Sequence, residues 1–272
     1  MSVKYVASLC AAALIGFAIS PSYSTELVSC NGFESCPTND GDAIVALEAR
    51  IAALEALLAD VSRGTDPNTS QDTLTLAGMN VQIVNGTGIT ESINGTGNLI
   101  IGYNDAFPPE PPGPDGCPDG HFCNRRGGSH NLVIGRFNNY SQYGGMVVGL
   151  ESEIGRFASV IGGYRNTASG DFSSINSGNN NKASGTYSYV SGGHNNTSSG
   201  SASSVSGGGS NTASSDASSV SGGYSNTASG AFSAVSGGDA NKASNQGSSV
   251  SGGVSKDATA MFCWEGAPGV DC

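Results

Sequence analysis

Charge is scarce in this chain. Only 12% of its 272 residues are charged, 11 basic against 22 acidic, and the formal net charge is −11. A surface that reads phosphate needs clustered Lys and Arg, so nucleic acid is not expected as a partner. Histidine is also scarce: His121, His130 and His194 lie apart, and no H-E-x-x-H, G-x-S-x-G or P-loop accompanies them. No enzymatic chemistry, cofactor or metal centre is therefore expected. Glu151 and Glu153 have the alternate spacing that could hold a cation or act on a glycan, but solvated strand-edge charges are the simpler reading. Long hydrophobic runs are missing after the first two dozen residues, and none approaches the roughly 20 residues a membrane-spanning helix needs.

What apolar run there is sits at the start. Lys4, the stretch from Val6 to Ile19 and then Pro21-Ser22-Tyr23-Ser24 form the basic, apolar and small-residue regions of a secretory signal. The run is too short for a membrane anchor, so 1–24 is expected to be cleaved and the mature chain secreted. Six cysteines then remain: Cys30, Cys36, Cys117, Cys123, Cys263 and Cys272. An even count in a secreted chain favours disulfides, and the close pairs Cys30/Cys36, Cys117/Cys123 and Cys263/Cys272 suggest three local loops among the 15 connectivities six cysteines allow. Zinc is the alternative, but the C-x5-C spacings fall outside the usual ligand pattern and no His pair joins them.

Segment 25–41 carries the first cysteine loop, and 42–63 reads as a short coiled coil. Ile44, Leu47, Ile51, Leu54, Leu58 and Val61 alternate steps of three and four, which places Ile44, Ile51 and Leu58 at a and Leu47, Leu54 and Val61 at d. The outer positions are mostly alanine, which favours helix and supplies little specificity. Arg50 falls at g and Glu55 at the e position facing a neighbouring helix, so Arg50-Ile51-Ala52-Ala53-Leu54-Glu55 resembles the R-h-x-x-h-E pattern of three-stranded parallel coiled coils. The strict 3.5 spacing favours this homotrimer over an amphipathic helix packed on its own domain. A connector or neck, 64–96, follows.

Glycine, at 41 of 272 residues, is about twice its usual share and demands either disorder or a repeat. Val160, Ile175, Val190, Val205, Val220, Val235 and Val250 recur at every fifteenth position, in phase with a Gly column from Gly163, an Asn column from Asn166 and a Ser column from Ser169. A flexible linker has no reason to hold several columns in step, whereas a solenoid requires it. In Ser218-Ser219-Val220-Ser221-Gly222 and Asn226-Thr227-Ala228-Ser229-Gly230 one apolar residue sits among polar ones, the pattern of a short strand facing its side chain inward. Two strands and two turns per unit, with Gly223 and Gly230 at the turns, predict an all-β solenoid: a parallel β-roll or β-helix of 15-residue coils over 97–253, preceded by the short trimeric coiled coil. The Asn column reads as an amide ladder. One Val and one Ala per coil bury little surface, so side-by-side association of three chains would help to stabilise the stack.

Asn98-Leu99-Ile100-Ile101-Gly102, Asn131-Leu132-Val133-Ile134-Gly135 and Met146-Val147-Val148-Gly149 are more apolar variants of the same strand and should form a stable N-terminal end. Between the first two, 105–130 carries Pro108-Pro109-Glu110-Pro111-Pro112-Gly113-Pro114 and the Cys117/Cys123 loop. It is expected to be an insertion projecting from a turn, either a contact surface or a decorative loop. Residues 254–272 would cap the far end.

Val220-Ser221-Gly222-Gly223-Tyr224-Ser225-Asn226-Thr227-Ala228-Ser229-Gly230 resembles the V-A-I-G-x-x-S-x-A-S-G core of the left-handed parallel β-roll heads of YadA-like trimeric autotransporter adhesins. The family's Ile or Leu is Gly in most units here, and one residue is added after the A-S-G turn. The resemblance implies a trimeric head that adheres to host, matrix or glycan surfaces, extracellular and associated with a bacterial cell surface. The coiled coil precedes the roll, and the tail from Met261 to Cys272 offers no membrane-barrel strands, so self-anchoring is not implied. The runner-up is ice binding: Asn131-Leu132-Val133-Ile134-Gly135 also resembles the N-x-V-x-G units of a plant antifreeze solenoid, although Lys182 and Lys242 interrupt the outward threonine rank.

Overall fold

The computed structural model describes residues 40–105, 125–262 and 264–265. Cys30, Cys36, Cys117, Cys123, Cys263 and Cys272, and with them the expected disulfides, lie outside the described residues, as do the expected signal segment and most of the expected insertion. The chain divides into two compact units, one up to Asn80 and one from Val81.

In the first unit a helix, α1, spans Asp40–Leu57, and its alanine-rich outer face explains why it is continuous. The expected coil to residue 63 is too long. Leu58 lies in a turn closed by the Val61 N–H donating to the Leu58 carbonyl at 2.9 Å, and Val61 begins strand β1, Val61–Thr65, instead of completing a third heptad. β1 pairs antiparallel with β2, Asp72–Leu76, from Val61↔Leu76 to Thr65↔Asp72, so part of the expected connector is a hairpin. Its signal is the turn: the Asp66 carboxylate accepts the N–H groups of Asn68 at 2.7 Å and Thr69 at 2.8 Å, and those two bonds hold its pKa below the ordinary carboxylate value. With Pro67 inside the turn, β-pairing wins over helix extension.

The second unit is an all-β parallel solenoid. One sheet of 11 strands runs from Leu99–Ile101 to Trp264–Glu265, and a second of nine runs from Asn139–Tyr140 to Asp257–Ala258. Neighbouring strands in the regular part are offset by one full repeat, as in Val205↔Val220 and Ala213↔Ala228. Near the start the offsets shorten, with Val133↔Val147 and Val147↔Val160. A third parallel row, absent from the two-strand expectation, links Leu150, Tyr164, Asn179, His194, Gly209, Tyr224, Asp239 and Val254 through single bridges.

Each regular coil is closed by residues in the left-handed region. Gly223 has φ +82°, and a Cβ there would lie 2.2 Å from the Gly238 carbonyl oxygen. At the other turn the expectation is corrected: Gly230 has no positive φ and is tight instead, since a Cβ would meet the Asn245 oxygen at 2.0 Å. The left-handed residue lies two positions later, at Phe232, φ +58°.

The core is a stack of columns. Val160, Ile175, Val190, Val205, Val220, Val235 and Val250 are all buried, as are Ala168, Ala183, Ala213, Ala228 and Ala243 opposite them. The array also passes its expected end at 253, because Ala258 keeps the alanine column. At the other end Leu99 pairs directly with Leu132, a step far longer than its neighbour Val133↔Val147. Residues 125–130 belong to the coil and not to the insertion, since Tyr140 N–H donates to the Arg125 carbonyl at 2.7 Å and Gly128 N–H to that of Tyr140 at 2.9 Å. Leu99, Ile100 and Ile101 remain 43–51% exposed within the chain.

Candidate functional site

Four structural features could carry function: the seam of α1, an amide ladder inside the solenoid, an aromatic row outside it, and a charged cleft near its start.

On α1, Ile44, Leu47, Ile51 and Leu54 share the expected seam and are 47–55% exposed within the chain. Arg50 and Glu55 lie on the same helix, and Leu58 and Val61 fall beyond its end.

The asparagines form a buried ladder. In the rung at Asn211, the side-chain oxygen accepts the Asn226 N–H at 2.9 Å, and the side-chain nitrogen donates to the carbonyls of Gly207 and Gly223, each at 2.9 Å. Asn166, Asn181, Asn196, Asn226 and Asn241 repeat this pattern. Every rung is fully used in holding its own coil to the next, so none is available as a ligand. At the far end the ladder stops where Lys256 takes the place of asparagine and donates its N–H to the Asn241 side-chain oxygen at 2.9 Å.

A second column lies outside the expected set. Phe157, Phe172, Tyr187, Phe232 and Phe262 occupy one left-handed turn position, with φ between +50° and +58°, an unusual conformation for bulky residues. Phe157 stacks on Phe172 at 5.2 Å and Phe172 on Tyr187 at 5.1 Å, while Tyr143 meets Phe157 edge-on. Ala202 and Ala217 hold the next two places in the row. A further unexpected repeat is Asn85-Gly86-Thr87-Gly88 and Asn94-Gly95-Thr96-Gly97, where each Asn side-chain oxygen accepts the Thr hydroxyl two residues on, at 2.8 and 2.7 Å. His130 fastens this segment: its Nε2 accepts the Asn85 N–H at 3.3 Å, and its Nδ1 lies 3.2 Å from the Thr90 carbonyl. His130 is thus structural.

The charged cleft, of about 440 Å³, is lined by Arg125, Glu153, Arg165, Thr167, Ser169, Asn180, Asn181 and Lys182. Its floor is the outward rank Glu153, Thr167, Lys182 on neighbouring strands. Arg125 approaches Glu153 at 3.6 Å, and Arg165 donates to Glu151 at 2.5 Å. The glutamates are therefore not solvated edge charges: each is paired with an arginine, and Glu151 sits in a left-handed turn, not on a strand shared with Glu153. Burial raises the Glu153 pKa, opposed by the Arg125 charge. A second cleft, of about 460 Å³, shares Arg165 and Asn180 and adds Tyr164, Asn179, His194 and Asn195. Arg165 lies over the Tyr164 ring at 4.9 Å, and the Asn180 amide donates to the Asn195 side-chain oxygen at 2.7 Å.

The outward rank beyond Lys182 continues Thr197, Thr212, Thr227, Lys242, Asp257, so uninterrupted threonine extends over three coils only. Among the described residues no group of three or more His, Cys, Asp or Glu is placed to hold a metal ion, and no helix is long and apolar enough to cross a membrane. No protein-family model matches the chain, and no curated protein sequence matches it.

Proposed function

We propose that this is a secreted, homotrimeric, adhesin-like structural protein that presents its solenoid to host, matrix or glycan surfaces, in the manner of the β-roll heads of YadA-like adhesins. The observation that carries this reading is the division of labour within each coil. Val, Ala and Asn face inward and are spent on stacking, while the outward positions vary from coil to coil between Thr, Lys, Tyr, Phe and Asp. Such a rod needs no moving part and offers a long, rigid surface for recognition. The exposed Ile44, Leu47, Ile51 and Leu54 of α1 support three-fold association, because a seam of large apolar side chains is stable in water only when another helix covers it. Adhesion comes from analogy of fold and secretion from the sequence at the start of the chain.

Two measurements test the reading. Light scattering on the purified mature chain is expected to give three times the monomer mass, and Leu54→Asp to give the monomer; a wild-type monomer overturns the trimer. An array of cells, glycans and matrix proteins is expected to retain the wild-type protein, and a folded trimer retained by none of them overturns adhesion.

A further inference from the structure

The protein is acidic, yet its basic residues are not spread evenly. Six of the 11 lie between 125 and 182, namely Arg125, Arg126, Arg136, Arg156, Arg165 and Lys182, against three acidic residues in the same span. Three of the six, Arg125, Arg165 and Lys182, converge on one cleft. We propose that this cleft, continued into the one lined by Tyr164, Asn179, His194 and Asn195, binds a carboxylate-bearing saccharide, with the carboxylate at Lys182 and the guanidinium groups of Arg125 and Arg165. The proposal rests on the surface-binding function above and names the ligand class and the place.

Charge, donor pattern and size each contribute. Arg125 and Arg165 each have a glutamate partner, whereas Lys182 has no ion pair among the described residues, so the cleft carries a small net positive charge. That balance suits a single carboxylate per sugar better than a densely sulfated polymer. The Arg125 guanidinium has five N–H donors, and its contact with Glu153 at 3.6 Å does not exhaust them. Glu153 and Glu151 pair with the two arginines, an arrangement that reduces the side-chain freedom lost on binding. Around the cations stand the Thr167 and Ser169 hydroxyls and the Asn180 amide, groups that both donate and accept and so match sugar hydroxyls. Arg165 and Asn180 belong to both clefts, and beyond them the lining becomes neutral and includes a tyrosine and a histidine. An acidic sugar linked to a neutral one would place its carboxylate at Lys182 and its neutral ring toward Tyr164 and His194. Each cleft falls within the roughly 300–1,000 Å³ of small-ligand sites.

Lys242 provides an internal control. It stands in the same outward rank as Lys182, four coils on, and no arginine occurs in that part of the chain. The experiment is titration calorimetry on the full-length mature protein with a hyaluronate octasaccharide, in which acidic and neutral sugars alternate, and with the same octasaccharide after carboxyl reduction. The wild type is expected to bind the acidic form, to bind the reduced form about tenfold more weakly, and to lose affinity as salt is raised. Lys182→Gln and Arg125→Gln are each expected to weaken the acidic form about tenfold, while Lys242→Gln leaves it unchanged. Lys182 is exposed, so its variant tests the site even if Arg125→Gln disturbs the fold. Equal binding of the two oligosaccharides, equal behaviour of Lys182→Gln and Lys242→Gln, or no binding of the acidic form overturns the proposal. A wild type that fails here yet is retained on the surface array refutes this cleft alone; failure in both refutes adhesion as well.

Discussion

The early coils, from Leu99 to Ile154, and the regular coils, from Val160 to Ala258, share sheets and register yet differ in what fills them. The early coils bury Ile154, Tyr140 and Tyr143 beside Val133 and Val147, and they carry the ion pairs Arg136 to Asp105 and Arg125 to Glu153, with Glu151 reaching across to Arg165 of the first regular coil. In the regular coils the buried set reduces to Val or Ile, Ala or Ser, Asn and Ser. Their steps differ too, Val133↔Val147 and Val147↔Val160 being shorter than Val205↔Val220, and at one short step Ser152 takes the asparagine's place, accepting the Asn166 N–H at 3.3 Å. Uniform coils are interchangeable because each contacts only its neighbours. Irregular coils are not, and the charged cleft forms where the irregular part meets the regular one.

Deletion should break that comparison most sharply. Removing 201–215, one whole regular coil, is expected to leave a cooperatively folded protein with a slightly lower melting temperature, because Asn196 then meets Asn226 in register. Removing 139–152 takes out Tyr140, Tyr143 and the Glu151 pairing together, and is expected to abolish cooperative melting by circular dichroism. Equal outcomes would refute the distinction.

A smaller effect is expected from single rungs. Asn211→Ala leaves the Asn226 N–H and the Gly207 carbonyl without their partners, while the Gly223 carbonyl keeps the Gly209 N–H, at a cost of about 3 kcal/mol in denaturant unfolding. Ser152→Ala removes a weaker pair of contacts, both at 3.3 Å, and should cost about 1 kcal/mol. A reversed order would show that the ladder does not hold the regular coils.

The aromatic row gives a gain of stability. Ala202 sits at φ +53°, where glycine is free of the Cβ strain, so Ala202→Gly should stabilise by about 1 kcal/mol. Tyr187→Gly at φ +58° removes a ring stacked on Phe172 and should gain less or lose. Calorimetric melting of the two variants decides which of backbone strain and ring stacking weighs more in this row.

The smallest effect is one of pH. The Glu153 pKa is raised on folding by burial, so the folded state binds this proton more tightly than the unfolded chain does. The stabilising contribution is present below the ordinary glutamate pKa and is lost as pH rises through the raised value. Glu153→Gln is therefore expected to flatten the decline of stability with rising pH in that window, and only slightly because Arg125 opposes the shift. An unchanged profile would show that Arg125 compensates burial fully.

Much of the solenoid was readable in one dimension. A parallel stack forces equivalent residues onto one another, so a spatial column appears in sequence as a period, and Val220, Ala228 and Asn226 could be assigned inward positions from spacing alone. Turn conformation was less legible. Gly230 draws attention because glycine tolerates positive φ, yet the left-handed position belongs to the Phe232 column, whose ring stacking no local propensity describes. The end of α1 was missed for a related reason: heptad spacing continues through Leu58 and Val61, but a hairpin closed by the Asp66 turn offers Val61 a full ladder of backbone bonds.

The cleft was not legible at all. Arg125, Glu153, Arg165 and Lys182 are far apart along the chain, and they meet only because coils of unequal length bring them to one face. By itself the sequence determined the repeat, the inward columns and the amide ladder, since these are consequences of period and residue type. The tertiary structure alone decided which charges face one another, because that depends on the length of each early coil and on the long step from Leu99 to Leu132, and a shift of a single residue would send each outward side chain to the other face.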